Sequence, residues 1–262
     1  DGRFQHPAVR ECIRFTNFHD GIEVIHAGDL PARSGIGSSS SFTVGLLHAI
    51  YALQGKMVTK RKLACDAIYI EQEMIKENVG SQDQFAAAFG GINKIEFSTD
   101  GSIWVTPLTI GTEKILKLQS SLLLYFTGLS RNASEVAAEQ IRSTKDKISE
   151  LKNMKKLTEE AIEVLNGPIE RYDDFGRLLH ENWKIKKSLT SRISNSFIDD
   201  IYEKAMKNGA LGGKLCGAGG GGFVLFFVPP EKQTVVKEAL KDLLLVPFRF
   251  EFLGSHIIFY ST

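Results

Sequence analysis

Eight of the chain's 24 glycines fall between Gly209 and Gly222, and the segment Gly212 to Val228 (GGKLCGAGGGGFVLFFV) carries seven of them straight into an apolar, β-rich run. So many residues without Cβ cannot build a helix interior, but they let a backbone loop lie against another backbone or against a polyphosphate. Gly217, Gly219 and Gly222 fit the spacing GxGxxG. That spacing marks a dinucleotide site only when a helix follows, and here a strand does. The segment is therefore predicted to be a strand, a glycine loop and a second strand, Phe223 to Val228. Close packing without a ligand is the plain alternative.

A second loop has the complementary context. Ile22, Val24 and Ala27 alternate as in a strand with one buried face, and they run into Leu30 to Ser41 (LPARSGIGSSSS). Beyond it Phe42, Leu46, Leu47, Ile50 and Leu53 recur at helical spacing, ending near Gly55. Gly35 and Gly37 allow a tight turn, after which the free N–H groups of the helix's first turn favour an anion such as a phosphate chain. Serine hydroxyls add donors and can face phosphate and Mg²⁺ together. A flexible Gly/Ser linker fits less well, because the helical period starts inside the serine run. Neither Gly55-Lys56 nor Gly213-Lys214 has the upstream glycine and following hydroxyl of a Walker A loop. No acidic residue stands about 20 positions beyond the glycines, as a Rossmann fingerprint requires.

Thr59 is placed to cap a further helix, with Leu63, Ala67, Ile70 and Met74 on one face, ending around Asn78; a loop, Val79 to Gln84 (VGSQDQ), follows. Glu71, with Glu73 nearby, and Asp83 in this loop offer carboxylates for magnesium or a substrate hydroxyl. Downstream, strands are expected at Asn93 to Phe97, Ser102 to Leu108 and Leu122 to Phe126. Helices are expected at Ala133 to Ile148, Leu157 to Leu165, Tyr172 to Leu189 and Asp199 to Lys207, the last closed by Gly209. After Val228 come a helix, Glu231 to Leu244, and two strands, Phe248 to Leu253 and His256 to Tyr260. The change in character near residues 110–130 gives an expected division into 1–115 and 116–262, and no repeat of fixed period is present.

Charge and composition exclude several classes. With 32 Lys+Arg against 31 Asp+Glu, the formal net charge is +1, so neither a nucleic acid nor an acidic partner is indicated. The longest apolar run, Phe223 to Val228, is far short of the roughly 20 residues that a membrane span needs, and no signal peptide opens the sequence. A cytoplasmic location with no membrane partner is expected. Cys12, Cys65 and Cys216 have no CxxC spacing, and the six histidines include no HExxH pair, so a zinc site is disfavoured. Nothing in the sequence sets the oligomeric state.

Taken in order, these segments resemble the GHMP kinase superfamily: its second motif is similar to Pro31 to Ser41 and its third to Lys214 to Gly222. Within it, Ser38 to Leu47 (SSSSFTVGLL), Val79 to Gln84, Tyr125 to Glu135 (YFTGLSRNASE), Ser194-Asn195 with Ile198-Asp199, and Gly209 to Phe223 resemble heptose 7-phosphate kinases and their sugar-kinase relatives. The resemblance implies an α+β fold of two domains, an N-terminal one of ribosomal protein S5-like topology and a ferredoxin-like C-terminal one, with ATP in a cleft between them. It implies that Gly35, Ile36, Gly37, Ser38, Ser39 and Ser40 wrap the triphosphate. Gly217, Ala218, Gly219 and Gly220 belong to the third motif, so they join the nucleotide site. Ser39 and Glu71 match the magnesium-associated pair, with Glu73 two positions away, and Asp83 matches the aspartate beside the phosphoryl acceptor. The superfamily's first motif, a PxRxxxxGGGTD-like segment, is absent, and a helix-like start at His6 to Thr16 fits a chain that begins after it.

The expected activity is phosphoryl transfer from ATP to a sugar phosphate hydroxyl, with heptose 7-phosphate as the acceptor, Mg²⁺ as cofactor and basic loop residues such as Arg131 touching the acceptor's phosphate. Asp83 would accept the hydroxyl proton or orient the hydroxyl. Alternatives are another small-molecule kinase of the superfamily, such as a fucokinase-like enzyme, or a non-catalytic nucleotide- or sugar-binding relative.

Overall fold

The computed structural model describes residues 4–30, 34–129 and 133–261. Pro31 of the first loop and Arg131 lie outside them. The chain divides into two compact units: one comprises Asp1–Ala32, Gly37–Leu108 and Phe250–Thr262, the other Arg33–Ile36 and Thr109–Arg249.

The first unit is built on helices α1 (Pro7–Thr16), α2 (Ser38–Leu53), α3 (Lys60–Tyr69) and α4 (Gln82–Phe89), with the hairpin β1 (Asn93–Phe97) and β2 (Ile103–Pro107). Proline at N1 starts α1 and Asn17 in the left-handed region ends it, while the Thr59 hydroxyl accepts from the Lys62 N–H and caps α3. Val44, Leu47 and Ile50 of α2 meet Leu63, Ala64 and Ala67 of α3 and Phe85 of α4 in one buried cluster. Between α3 and α4 the chain makes a π-helical turn, Ile70–Met74.

The alternation over Ile22 to Ala27 does describe burial: Ile22 and Val24 pack on this cluster, and Ala27 is exposed. It does not describe pairing. Among the described residues no strand lies there, because alternation fixes which face is buried but a ladder needs a second backbone. The same holds for Phe248 to Leu253 and His256 to Tyr260, which run without a ladder. Backbone groups here serve elsewhere: the Gly91 N–H donates to the Glu251 carbonyl at 2.7 Å, and the N–H of Ser255, between the two segments, to the Ala87 carbonyl at 2.9 Å.

The second unit carries a four-stranded antiparallel sheet in the order β4-β5-β3-β6, from β3 (Leu122–Phe126), β4 (Gly212–Leu215), β5 (Phe223–Phe227) and β6 (Leu244–Leu245). Its helices are α5 (Thr112–Ser120), α6 (Ala133–Ser143), α7 (Ile148–Asn166), α8 (Tyr172–Leu189), α9 (Ser196–Lys207) and α10 (Gln233–Ala239). Trp183, Tyr202, Ala205, Val224, Phe226 and Val236 bury the sheet face. Helix α5 fills the interval between the strands expected at Ser102 to Leu108 and Leu122 to Phe126, with Gly111 as its N-cap residue. The helix expected over Glu231 to Leu244 stops at Ala239, freeing Leu244 and Leu245 to pair with Phe126 and Tyr125.

Candidate active site

In the first unit the candidate side chains gather at the start of α2. Gly37 is its N-cap residue at φ 74°, ψ 18°, a left-handed conformation that glycine adopts without strain, and among the described residues no side chain caps the helix. The early N–H groups of this 16-residue helix therefore stay open for an anion. A Cβ on Gly37 would stand 3.1 Å from both Cγ and Oδ2 of Asp83, so glycine here makes room for a carboxylate. Asp83 lies in the first turn of α4, not in a loop as its sequence context reads; Ser81 is the N-cap residue. An acidic residue is favoured at that end of a helix dipole.

Glu71 stands on the π-helical turn and is almost completely buried, at 1% exposure, whereas Glu73 is exposed. The Ser40 hydroxyl donates to Glu71 Oε2 at 2.9 Å, and the Gln84 amide donates to the same oxygen. Among the described residues Glu71 Oε1 has no hydrogen-bond partner. Burial raises the Glu71 pKa above the usual carboxylate range, opposed by hydrogen bonds from neighbouring side chains, Gln84 first. An orphaned, buried carboxylate oxygen is costly unless a proton or a cation meets it, so this residue fits a hard divalent ion. Successive helical residues point about 100° apart, so Ser39 and Ser40 cannot both turn inward. Ser40 is buried against Glu71, while Ser39 is exposed and its carbonyl accepts from the Thr43 hydroxyl at 3.2 Å. Ser38 and Ile36 are half-buried. Among the described residues no three His, Cys, Asp or Glu side chains cluster as a metal site, and no helix is long and apolar enough to cross a membrane.

In the second unit, Ser34 and Gly35 lie on the glycine loop between β4 and β5. A Cβ on Gly217 would stand 2.5 Å from the Gly35 carbonyl oxygen, and one on Gly222 would stand 2.0 Å from that of Ser34. Both residues have positive φ, 68° and 96°. Gly219 and Gly220 are buried beside Ile193, whose carbonyl accepts from the Gly220 N–H at 2.7 Å, and Ala218 is half-buried. The glycine signal thus marks backbone-on-backbone contact between two loops separated by some 180 positions in the sequence. Sequence reasoning overlooked Ser40 and Gln84 as Glu71's donors. The available signal was the serine run and the glutamine next to Asp83, which a buried carboxylate would require.

Residues 6–91 match the GHMP kinases N terminal domain, and residues 154–244 match the GHMP kinases C terminal family. The two matches together cover more than half of the sequence. The chain belongs to the GHMP kinases. Within that family it is 35% identical over 216 residues to a D-glycero-alpha-D-manno-heptose 7-phosphate kinase of Campylobacter jejuni, covering 81% of this chain and 63% of that protein. To an L-fucokinase/L-fucose-1-P guanylyltransferase of Bacteroides fragilis it is 29% identical over 228 residues, 84% of this chain and 23% of the relative. The chain thus spans less than two thirds of the length of these relatives. The crystal structure of a D-glycero-D-manno-heptose 1-phosphate kinase from Bacteroides thetaiotaomicron superposes with a TM-score of 0.74 at 27% identity, covering 100% of this chain and 77% of that one. The mixed helix and sheet architecture is that of the family.

Proposed function

We propose that the chain transfers a phosphoryl group from ATP to a hydroxyl of a sugar phosphate, with D-glycero-D-manno-heptose 7-phosphate as acceptor and the 1,7-bisphosphate as product. The observation that carries this reading is the seating of the Asp83 carboxylate over Gly37, at the uncapped start of α2. An acceptor-handling carboxylate beside an anion-binding helix end is what phosphoryl transfer requires, since positioning and charge neutralisation do most of the work. Heptose phosphates appear in the names of the Campylobacter relative and the Bacteroides structure, which supports the acceptor class.

In this reading the backbone of Gly35 to Ser40 and of Gly217 to Gly220 binds the ATP phosphates. Asp83 accepts or orients the acceptor hydroxyl. Glu71, with a serine of the run, would hold Mg²⁺; Ser39 is the family match, and Ser40 is the serine whose hydroxyl meets Glu71. The ion, when bound, neutralises phosphate charge. The test is ADP release over a panel of acceptors: heptose 7-phosphate, heptose 1-phosphate, fucose, galactose and mevalonate. It is run on this chain and on one extended at its N-terminus. Turnover of heptose 7-phosphate is expected. Efficient turnover of an unphosphorylated hexose, with none of heptose 7-phosphate, overturns the acceptor assignment.

A further inference from the structure

Two helices grip the glycine loop by its carbonyls. Lys186 Nζ, near the end of α8, donates to the Gly217 carbonyl at 2.6 Å and lies 3.4 Å from that of Leu215. Gln140 Nε2, on α6, donates to the Ala218 carbonyl at 2.7 Å. No described peptide bond is cis, and in a trans peptide the N–H points opposite to the C=O of the same unit. Anchoring the Gly217 carbonyl on Lys186 therefore turns the Ala218 N–H the other way. Anchoring the Ala218 carbonyl on Gln140 does the same for the Gly219 N–H. Among the described residues neither N–H has an acceptor, whereas the following one, on Gly220, donates to Ile193. Two adjacent open amides flanked by residues at positive φ form a concave seat for an anion.

We propose that Lys186 and Gln140 are positioning residues for nucleotide binding: by holding the Gly217 and Ala218 carbonyls they aim the Ala218 and Gly219 N–H groups at an ATP phosphate. This inference rests on the kinase reading above and adds to it the two side chains that set the loop's orientation. The grip of Lys186 depends on its charge, because a hydrogen bond from an ammonium is roughly twice as strong as one from a neutral donor. Burial first, then Lys214 on β4, lowers the Lys186 pKa to about 8, with Cys216 of the loop acting in the opposite sense. No group on α7 or β5, both packed against α8, contributes. A lowered lysine pKa means that the charge disappears as pH rises through about 8, well before a free lysine would lose it. ATP affinity should fall over the same interval.

The experiment measures Kd for Mg·ATP by calorimetry between pH 6.5 and 9.5 on the full chain and on Lys186→Met, Lys186→Arg and Gln140→Leu. The parent should weaken by about fivefold across that range, and Lys186→Met should bind about tenfold more weakly at neutral pH with a flat profile. Lys186→Arg should restore the affinity that methionine loses and also be flat, because its guanidinium stays charged. Gln140→Leu should bind more weakly yet keep the parent's pH dependence. If the methionine variant does not fold, the arginine variant and an NMR titration of the Lys186 side chain in the parent decide the matter. A flat parental profile, or a Lys186→Arg variant that keeps the pH dependence, overturns the inference. A folded parent that binds no ATP overturns the kinase reading along with it; a parent that binds ATP, with every variant unchanged, overturns this inference alone.

Discussion

Gly37 and Asp83 constrain each other, because the space a Cβ would take at one is where the carboxylate of the other sits. Two outcomes follow from that contact. Gly37→Val must oppose a φ of 74° and push against Asp83, so it should weaken ATP binding by about tenfold or more with the fold retained; unchanged binding in calorimetry would remove this loop from the site. Asp83→Asn keeps the shape and removes the charge, so kcat should drop by roughly 10²-fold or more while ATP affinity stays nearly intact. A variant within about twofold of the parent kcat would deny Asp83 its role. The sequence pointed to both residues, through a glycine loop and a polar loop that each read as chemistry. It left Glu71 and Glu73 unresolved because two positions on a regular helix differ by a turn of about 200°, and the π-helical turn that sets which one is buried has no periodic signature.

Helix α2, the hairpin β1-β2 and the glycine-linked pair β4-β5 were legible because each is decided locally, by an unbroken apolar period or by turn residues at its ends. Strands proposed at 22–27 and after Phe248 were not, because pairing is decided by a partner far along the chain. The His48 ring and the Ser255 hydroxyl, 2.9 Å apart and 207 positions distant in sequence, show how remote such partners are. Two glycine substitutions separate local from long-range demands. Gly45 lies inside α2 with open space where its Cβ would be, so Gly45→Ala should raise stability by about 0.5–1 kcal/mol. Gly222→Ala would drive a methyl into the Ser34 carbonyl at a φ of 96°, and should cost about 2–4 kcal/mol. Denaturant midpoints of the two variants should move in opposite directions; shifts of the same sign would contradict the backbone contact.

On the scale of the whole molecule, the two buried clusters explain why the chain folds, and Glu71 is a buried carboxyl that opposes that folding unless something meets its charge. Its carboxyl is buried in the first unit with one oxygen unpartnered, and burial raises its pKa in the folded state. A group whose folded pKa lies above its unfolded value stabilises the protein below the unfolded pKa, and that contribution is lost as pH rises through the folded value. Without ligand, the parent should therefore lose stability as pH rises from about 4.5 towards neutrality, where the buried carboxylate must ionise. Glu71→Gln removes the charge and keeps the shape, and its side-chain carbonyl can still accept from Ser40 and Gln84. Its melting temperature should exceed the parent's at pH 7.5 and approach it near pH 4.5. Magnesium reverses the ranking: in saturating ATP the parent should gain stability on adding Mg²⁺, the variant should gain less, and the variant should need more Mg²⁺ for half-maximal ADP release. Thermal melts at two pH values, with and without Mg·ATP, check all of this in one series. A variant less stable than the parent at pH 7.5 without ligand, or equally responsive to Mg²⁺, would show that Glu71 is a structural carboxylate held by Ser40 and Gln84 for the fold alone.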